Sequence, residues 1–386
     1  MSLMAELIRK AVALGVPLTA HVDLTYRCNE RCEHCYLDHD DKGEMSFNEI
    51  SGLLGQLADA GVFFLILSGG EPMLRRDFFD IVARARALLF NVKVKTNAVL
   101  VRTAEAQRLR ALGVEQMQVS VYSHRPEIHD AVTKLPGSLR RTIEGIRALR
   151  AAGLKVAVAN VMMRSNLADR QGVAAMAREL GATYSADPTV TPMMDGDRSV
   201  LDLRIEGSEL HSLFQDKELV GDPEAFCAPP PPVDDDARNA LPCSAGHSSC
   251  YISPYGDVFP CVQFPLPSGN IRTQKFLDIW RHSPQLEEVR SIRTGDLPVC
   301  SSCAHLGACT RCPGLAWTEG NMRGPSSADC EKSFYRTGVP SANMLARGLT
   351  TFPVGIAETG LAAFPPAAHR HAMGLIQIAP LRQTAA

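Results

Sequence analysis

Six short apolar runs recur between residues 20 and 190, each separated from the next by a stretch of helical period. They fall at 20–26, 62–67, 92–96, 116–121, 155–161 and 183–190. Between them, Ser46 and Glu49 form a capping-box pair ahead of Ile50, Leu53, Leu54 and Leu57. Phe78, Phe79, Ile81 and Val82 mark a second helix, and helical patterns follow over 103–112, 138–152 and 167–180. Strands alternating with helices of these lengths predict a parallel sheet with right-handed crossovers. In such sheets ligands bind at the carboxyl ends of the strands. The residues just after each run are therefore where chemistry is expected.

Those residues are unusual. The first run leads into Cys28-Asn29-Glu30-Arg31-Cys32-Glu33-His34-Cys35, three thiols spaced x3 then x2. The second ends at Ser68-Gly69-Gly70-Glu71-Pro72, the third at Thr96-Asn97, and the fourth at Ser120-Val121-Tyr122-Ser123. Soft thiolate ligands suit iron–sulfur and zinc centres. Three thiols are one short of a closed four-cysteine site, which leaves a position for a ligand the protein does not supply. A zinc loop or a chance cluster is the plainer alternative. For Asn97 and Ser120 that alternative is strand-end capping, and for Asn160 a satisfied core amide.

Together the two motifs resemble those of the radical S-adenosylmethionine (SAM) enzymes, over residues 18–195. The resemblance implies a partial (β/α)6 barrel. It implies that Cys28, Cys32 and Cys35 hold a [4Fe–4S] cluster whose open iron is chelated by SAM. Gly69, Gly70, Glu71 and Pro72 match the motif that holds the methionine amino group, with the two glycines letting the backbone come close to SAM. Asn97 matches the family's TNG, with Ala98 in place of the glycine, and Ser120 matches a serine that helps position SAM. The segment from His129 to Ser138 resembles a loop of peptide-modifying members, with Thr133-Lys134 where relatives carry Arg. The reduced cluster would donate one electron to SAM, giving methionine and a 5′-deoxyadenosyl radical that abstracts a substrate hydrogen.

Of twelve cysteines, eight lie beyond residue 242: Cys243, Cys250, Cys261, Cys300, Cys303, Cys309, Cys312 and Cys330. Clustered CxxC spacing in a chain of 386 residues without an export signal favours metal or iron–sulfur ligation in a reducing cytoplasm. Two hairpin strands fit 249–252 and 258–260. Gly256-Asp257-Val258-Phe259-Pro260-Cys261, followed by Cys300-x2-Cys303-x5-Cys309, resembles the SPASM extension of radical SAM enzymes, a small cysteine-rich α+β domain with two auxiliary [4Fe–4S] clusters. Carrying over the family's interleaved ligation assigns Cys243, Cys250, Cys261 and Cys312 to cluster I. It assigns Cys300, Cys303, Cys309 and Cys330 to cluster II. A zinc knot of Cys300, Cys303, Cys309 and Cys312 is the alternative. Cys227, in the connector, reads as an unligated thiol.

The expected organisation is an arm over 1–17, the barrel over 18–195 and a connector over 196–242. The SPASM domain then takes 243–339 and a loosely ordered tail 340–386. The proline run 229–232 and the three aspartates after it predict an extended, mobile loop. A formal charge of −2 and no long basic run give nucleic-acid binding no support, and no apolar stretch approaches a membrane span. The resemblance implies three [4Fe–4S] clusters, SAM, and an electron donor such as flavodoxin or ferredoxin. It implies a ribosomally made peptide or protein side chain as substrate, altered by crosslinking, thioether formation, epimerisation or oxidation. Too few residues precede the first strand for an independent leader-binding domain, so a separate leader-binding protein is expected. The rival readings are a tetrapyrrole-modifying member, a formylglycine-forming sulfatase maturase, and a non-catalytic electron-transfer or zinc protein. Electron carriers, however, use fully ligated clusters. No residue is singled out as the catalytic acid or base.

Overall fold

The computed structural model describes residues 3–194 and 196–349. The tail expected over 340–386 therefore lies outside the described residues from position 350 on, as does Asp195 of the turn at 194–197.

Six parallel strands alternate with helices, as the runs predict: β1 Thr19–Asp23, β2 Phe64–Ser68, β3 Asn91–Thr96, β4 Gln116–Ser120, β5 Lys155–Val161 and β6 Thr183–Asp187. After them come β7 Ser249–Ile252, β8 Asp257–Phe259 and β9 Gly269–Asn270. The sheet runs in the order β6-β5-β4-β3-β2-β1-β7-β8-β9 and does not close. This is the partial (β/α)6 barrel, with one addition the sequence did not announce. The hairpin strand β7 lies parallel against β1, pairing Ala20 with Cys250 and Val22 with Ile252. The cysteine-rich region is thereby built onto the barrel's own sheet.

The strands have two unlike faces. In β3, Val92, Val94 and Thr96 are buried while Asn91, Lys93 and Lys95 are less so; in β4, Met117 and Val119 alternate with Gln116, Gln118 and Ser120 in the same way. Side chains two apart share a face. The apolar set packs beneath the helices: Leu65, Leu67, Val92, Val94, Met117 and Val158 join Leu53, Leu57, Ile81, Leu109, Ile146 and Leu149 in one core. The polar set faces the barrel interior, so β3 and β4 lack the continuous apolar runs of a sheet covered on both faces.

The helix after the cysteine loop, Phe47–Asp59, begins with the expected capping box. Ser46 Oγ accepts from Glu49 N at 3.3 Å, and the Glu49 carboxylate accepts from Ser46 N at 2.8 Å. Such a box contributes about 1 kcal/mol. Two expectations are corrected. The stretch around His129, read as a loop, begins as a helix, Pro126–Thr133, with Pro126 at its first turn. The acidic end of the connector is not extended: Asp234 accepts from Ala237 N at 2.7 Å and caps a helical turn over Asp235–Asn239. Local capping by the first aspartate outweighed what the composition suggested.

Candidate active site

The loops after β1, β2, β3 and β4 meet over one cleft of about 140 Å³. Its walls carry Cys28, Cys32 and Cys35 together with Gly69, Gly70, Asn97 and Ser120. Glu71 and Pro72 do not line it. The structure thus brings seven of the nine expected site residues to one place and turns the other two, Glu71 and Pro72, inward.

Each loop is held by identifiable bonds. Gly70 N donates to Thr25 O at 2.8 Å and Glu71 N to Arg27 O at 2.9 Å, which lays the glycine turn along the chain just before Cys28. A Cβ on Gly69 would sit 2.2 Å from Thr25 O, and one on Gly70 2.4 Å from Arg27 O. The glycines are needed for the chain's approach to its own backbone at Thr25 and Arg27. Gly69 also takes a φ of 136°, open to few other residues.

Glu71 is fully buried. Its carboxylate accepts from Met73 N at 3.0 Å, from Asn97 N at 2.9 Å, and from the Thr96 hydroxyl at 2.8 and 3.0 Å. It ties the end of β2 to the end of β3. Burial nevertheless raises its pKa to about 7, against the pull of these donors.

Asn97 reaches the other way. Its Nδ2 donates to Asn29 Oδ1 at 2.9 Å and lies 3.9 Å from Cys28 Sγ. Ala98, standing where the family motif has glycine, adopts the left-handed φ of 58° that glycine would take. On the far side, Arg31 N and Glu33 N donate to Thr133 O and Val132 O, both at 2.9 Å. The end of the Pro126–Thr133 helix therefore braces the cysteine loop. Lys134 lies 3.8 Å from Glu33 and does not line the cleft.

The thiols are costly to ionise. Burial pushes Cys28 up to about 12 and Cys35 up to about 11, and it raises Cys32 as well. A group that needs thiolates must compensate that burial with its own positive charge. Asn29 Nδ2, Glu30 Oε1 and His34 Nδ1 are buried without a hydrogen-bond partner. Three soft donors on one wall, orphaned polar atoms around them and an unfilled space beside them fit a cluster plus a polar cofactor.

The eight cysteines beyond residue 242 fall into two groups. Cys300, Cys303, Cys309 and Cys330 line one cavity of about 50 Å³. The charge of Cys261 acts on Cys243, Cys250 and Cys312, and that of Cys243 acts on Cys312. Burial raises Cys243, Cys250 and Cys330 up to about 12, and it raises Cys261, Cys300, Cys309 and Cys312 as well. Cys312 thus stands with the 243–261 set and apart from its sequence neighbours Cys300, Cys303 and Cys309. Among the described residues, no group of three or more His, Cys, Asp or Glu could hold a single metal ion as placed. Cys227 is away from both groups, donating to Phe214 O at 3.5 Å.

Profiles of two families match this chain: the radical SAM superfamily over residues 22–177 and the SPASM iron–sulfur cluster-binding domain over 243–313. The PqqA peptide cyclase of Xanthomonas axonopodis pv. citri is 32% identical over 318 residues, 78% of this chain and 84% of that one. The chain belongs to the radical SAM superfamily. As a radical SAM enzyme it carries a site for SAM and a [4Fe–4S] cluster, and its SPASM domain binds iron–sulfur clusters. The AdoMet-dependent heme synthase of Methanosarcina barkeri is 29% identical over 319 residues, 76% of this chain and 90% of that one. In fold, the enzyme is similar to SuiB of Streptococcus suis bound to S-adenosylmethionine, with TM-score 0.67 and 19% identity over 84% of this chain and 81% of that one. No helix among the described residues is long and apolar enough to cross a membrane.

Two braces escaped the sequence. The carbonyls of Val132 and Thr133 carry no signal in their side chains. Lys95, which lines the cleft from β3, shows its role only in the alternation of Asn91, Lys93 and Lys95 with valines.

Proposed function

We propose that this chain cleaves SAM reductively and oxidatively modifies a side chain of a ribosomally synthesised peptide or protein. The observation that carries the reading is a cleft with three thiols on its wall, in a sheet that continues through β7 into the region of eight further thiols. Cys28, Cys32 and Cys35 would hold the SAM cluster, with Gly69, Gly70, Asn97 and Ser120 along SAM; Glu71 and Pro72 serve the site by shaping the turn. Cys243, Cys250, Cys261 and Cys312 would hold one auxiliary cluster, and Cys300, Cys303, Cys309 and Cys330 the other, giving three clusters per chain. Bound SAM supplies a 5′-deoxyadenosyl radical for hydrogen abstraction; the chain orients the substrate over the cleft and keeps it from water.

The relative named a PqqA peptide cyclase, at 32% identity, supports a peptide substrate. The heme synthase relative supports tetrapyrrole modification as the second reading. We take the barrel as residues 18–195, the connector as 196–242 and the SPASM domain as 243–339. A cytoplasmic setting, a flavodoxin- or ferredoxin-type donor and a separate leader-binding protein complete the proposal. The test is mass spectrometry of a short peptide encoded beside this gene, after anaerobic reaction with SAM and reductant. A mass change that requires SAM and the three N-terminal thiols supports the reading. Specific binding of a porphyrin, with no change in the peptide, moves the assignment to the tetrapyrrole class.

A further inference from the structure

Between the two groups of four thiols lies one carboxylate. Asp329 is 2% exposed and sits in the first turn of the helix Ser327–Thr337, beside Cys330. Its Oδ2 accepts from the backbone N–H of Cys312 at 2.8 Å, while the residue also lines the cavity of Cys300, Cys303, Cys309 and Cys330. It therefore touches both groups. Its Oδ1 accepts no hydrogen bond, and Lys332 Nζ stands 3.7 Å from it. The same Nζ donates to the hydroxyl of Thr189 at 2.8 Å, and Thr189 lines the three-thiol cleft. Arg311 lines the same cavity, with its guanidinium tied to Gly324 O.

We infer that Asp329 is a redox-positioning residue, a single negative charge shared by both auxiliary clusters that holds their reduction potentials down together, with Lys332 as its counter-charge. The inference rests on the three-cluster reading above. The physical ground is direct. Each cluster gains one electron on reduction, and a fixed negative charge close by makes that gain less favourable. Net charge, hydrogen bonding and exposure are the protein's means of setting such potentials. Burial strengthens the effect, because a low-dielectric surrounding screens little. A carboxylate touching one site only would bias electron flow between the clusters; one touching both shifts them as a pair.

The test is an EPR-monitored redox titration of the full, anaerobically reconstituted chain, with iron counted first. Asp329→Asn keeps an oxygen for Cys312 N–H and removes the charge. It is expected to retain full iron, to move both auxiliary signals to higher potential and to leave the SAM cluster in place. Lys332→Met, which removes the counter-charge, is expected to move both auxiliary signals to lower potential. If Asp329→Asn loads incompletely, the Lys332→Met shift decides. Unmoved potentials in fully loaded variants, or movement of one auxiliary signal alone, overturn the inference and leave the three-cluster reading standing. About four irons in the unaltered chain would instead overturn that reading, and this inference with it.

Discussion

The carboxylate of Glu71 accepts the backbone N–H of Asn97 at 2.9 Å, and the side chain of Asn97 in turn donates to Asn29 inside the cysteine loop at 2.9 Å. The ends of three strands are thereby joined through one buried acid. Glu71 is a structural clamp beneath the cofactor site.

Removing that clamp should act on the fold before it acts on chemistry. Glu71→Ala leaves the Thr96 hydroxyl and the Asn97 N–H buried without their acceptor. Each unpaired group costs roughly 1–3 kcal/mol. Thermal denaturation should show the loss, while Glu71→Gln, which keeps an acceptor oxygen, should recover part of it. A full-stability Glu71→Ala chain would contradict the clamp.

Gly70→Val should disturb the cysteine loop itself, since a Cβ there meets Arg27 O at 2.4 Å and Tyr26 O at 2.7 Å. Iron analysis is expected to find about four irons fewer, from loss of one four-iron cluster. Full iron with SAM affinity alone reduced, measured by calorimetry, would restore the simpler view that the side chain blocks SAM.

The grouping of the C-terminal thiols can be read from iron content and EPR. The unaltered chain should hold about twelve irons and the combined Cys28, Cys32 and Cys35 to Ala variant about eight, with no 5′-deoxyadenosine released. Cys312→Ala should perturb the same auxiliary signal as Cys243→Ala, and Cys330→Ala the same one as Cys300→Ala. If Cys312→Ala and Cys300→Ala perturbed one signal in common, the grouping would be wrong.

Acid should weaken what the buried histidines contribute to stability, while Glu71, raised to about 7, works in the opposite direction. Burial lowers His129 from 6.5 to about 4, and its Nδ1 accepts Tyr122 N at 3.2 Å. His247 is likewise lowered to about 4, by burial and then by Arg290 and Arg293. A histidine with a depressed folded pKa binds its proton more readily when unfolded. Its contribution is therefore whole above pH 6.5 and shrinks as pH falls toward 4. At His129 the loss is on the order of 1–3 kcal/mol, and at the less buried His247 solvent screening makes it smaller. The histidine part is read as the difference in denaturant unfolding between the unaltered chain and His129→Asn, which should shrink from pH 7 to 5 as the carboxylates cancel between the two.

Much of this molecule was legible because its signals are local. The run 155–161 is a strand to the residue, and the Ser46–Glu49 box forms as its spacing says. The cleft followed from the rule that strand ends carry ligands, applied to Cys28, Gly69, Asn97 and Ser120. What stayed hidden was contact between distant segments. No feature of 249–252 says that it pairs with 19–22, and nothing in Asp329 marks it as a partner of Cys312. Glu71 was legible as a motif residue, but its orientation depends on Thr96 and Asn97, which only the fold brings within reach.

The pairing of β7 with β1 has a mechanical consequence. Two parts that could have been beads on a string share a backbone ladder, so Cys250 and the strand feeding Cys28 move as one plate. A chain cut short of Ser249 would leave the N–H and C=O groups of Thr19–Val22 without their neighbour, a raw border on which another molecule's strand could lie. The cysteine-rich region is in that sense a selvedge, the finished edge that keeps the barrel's sheet from fraying into its neighbours.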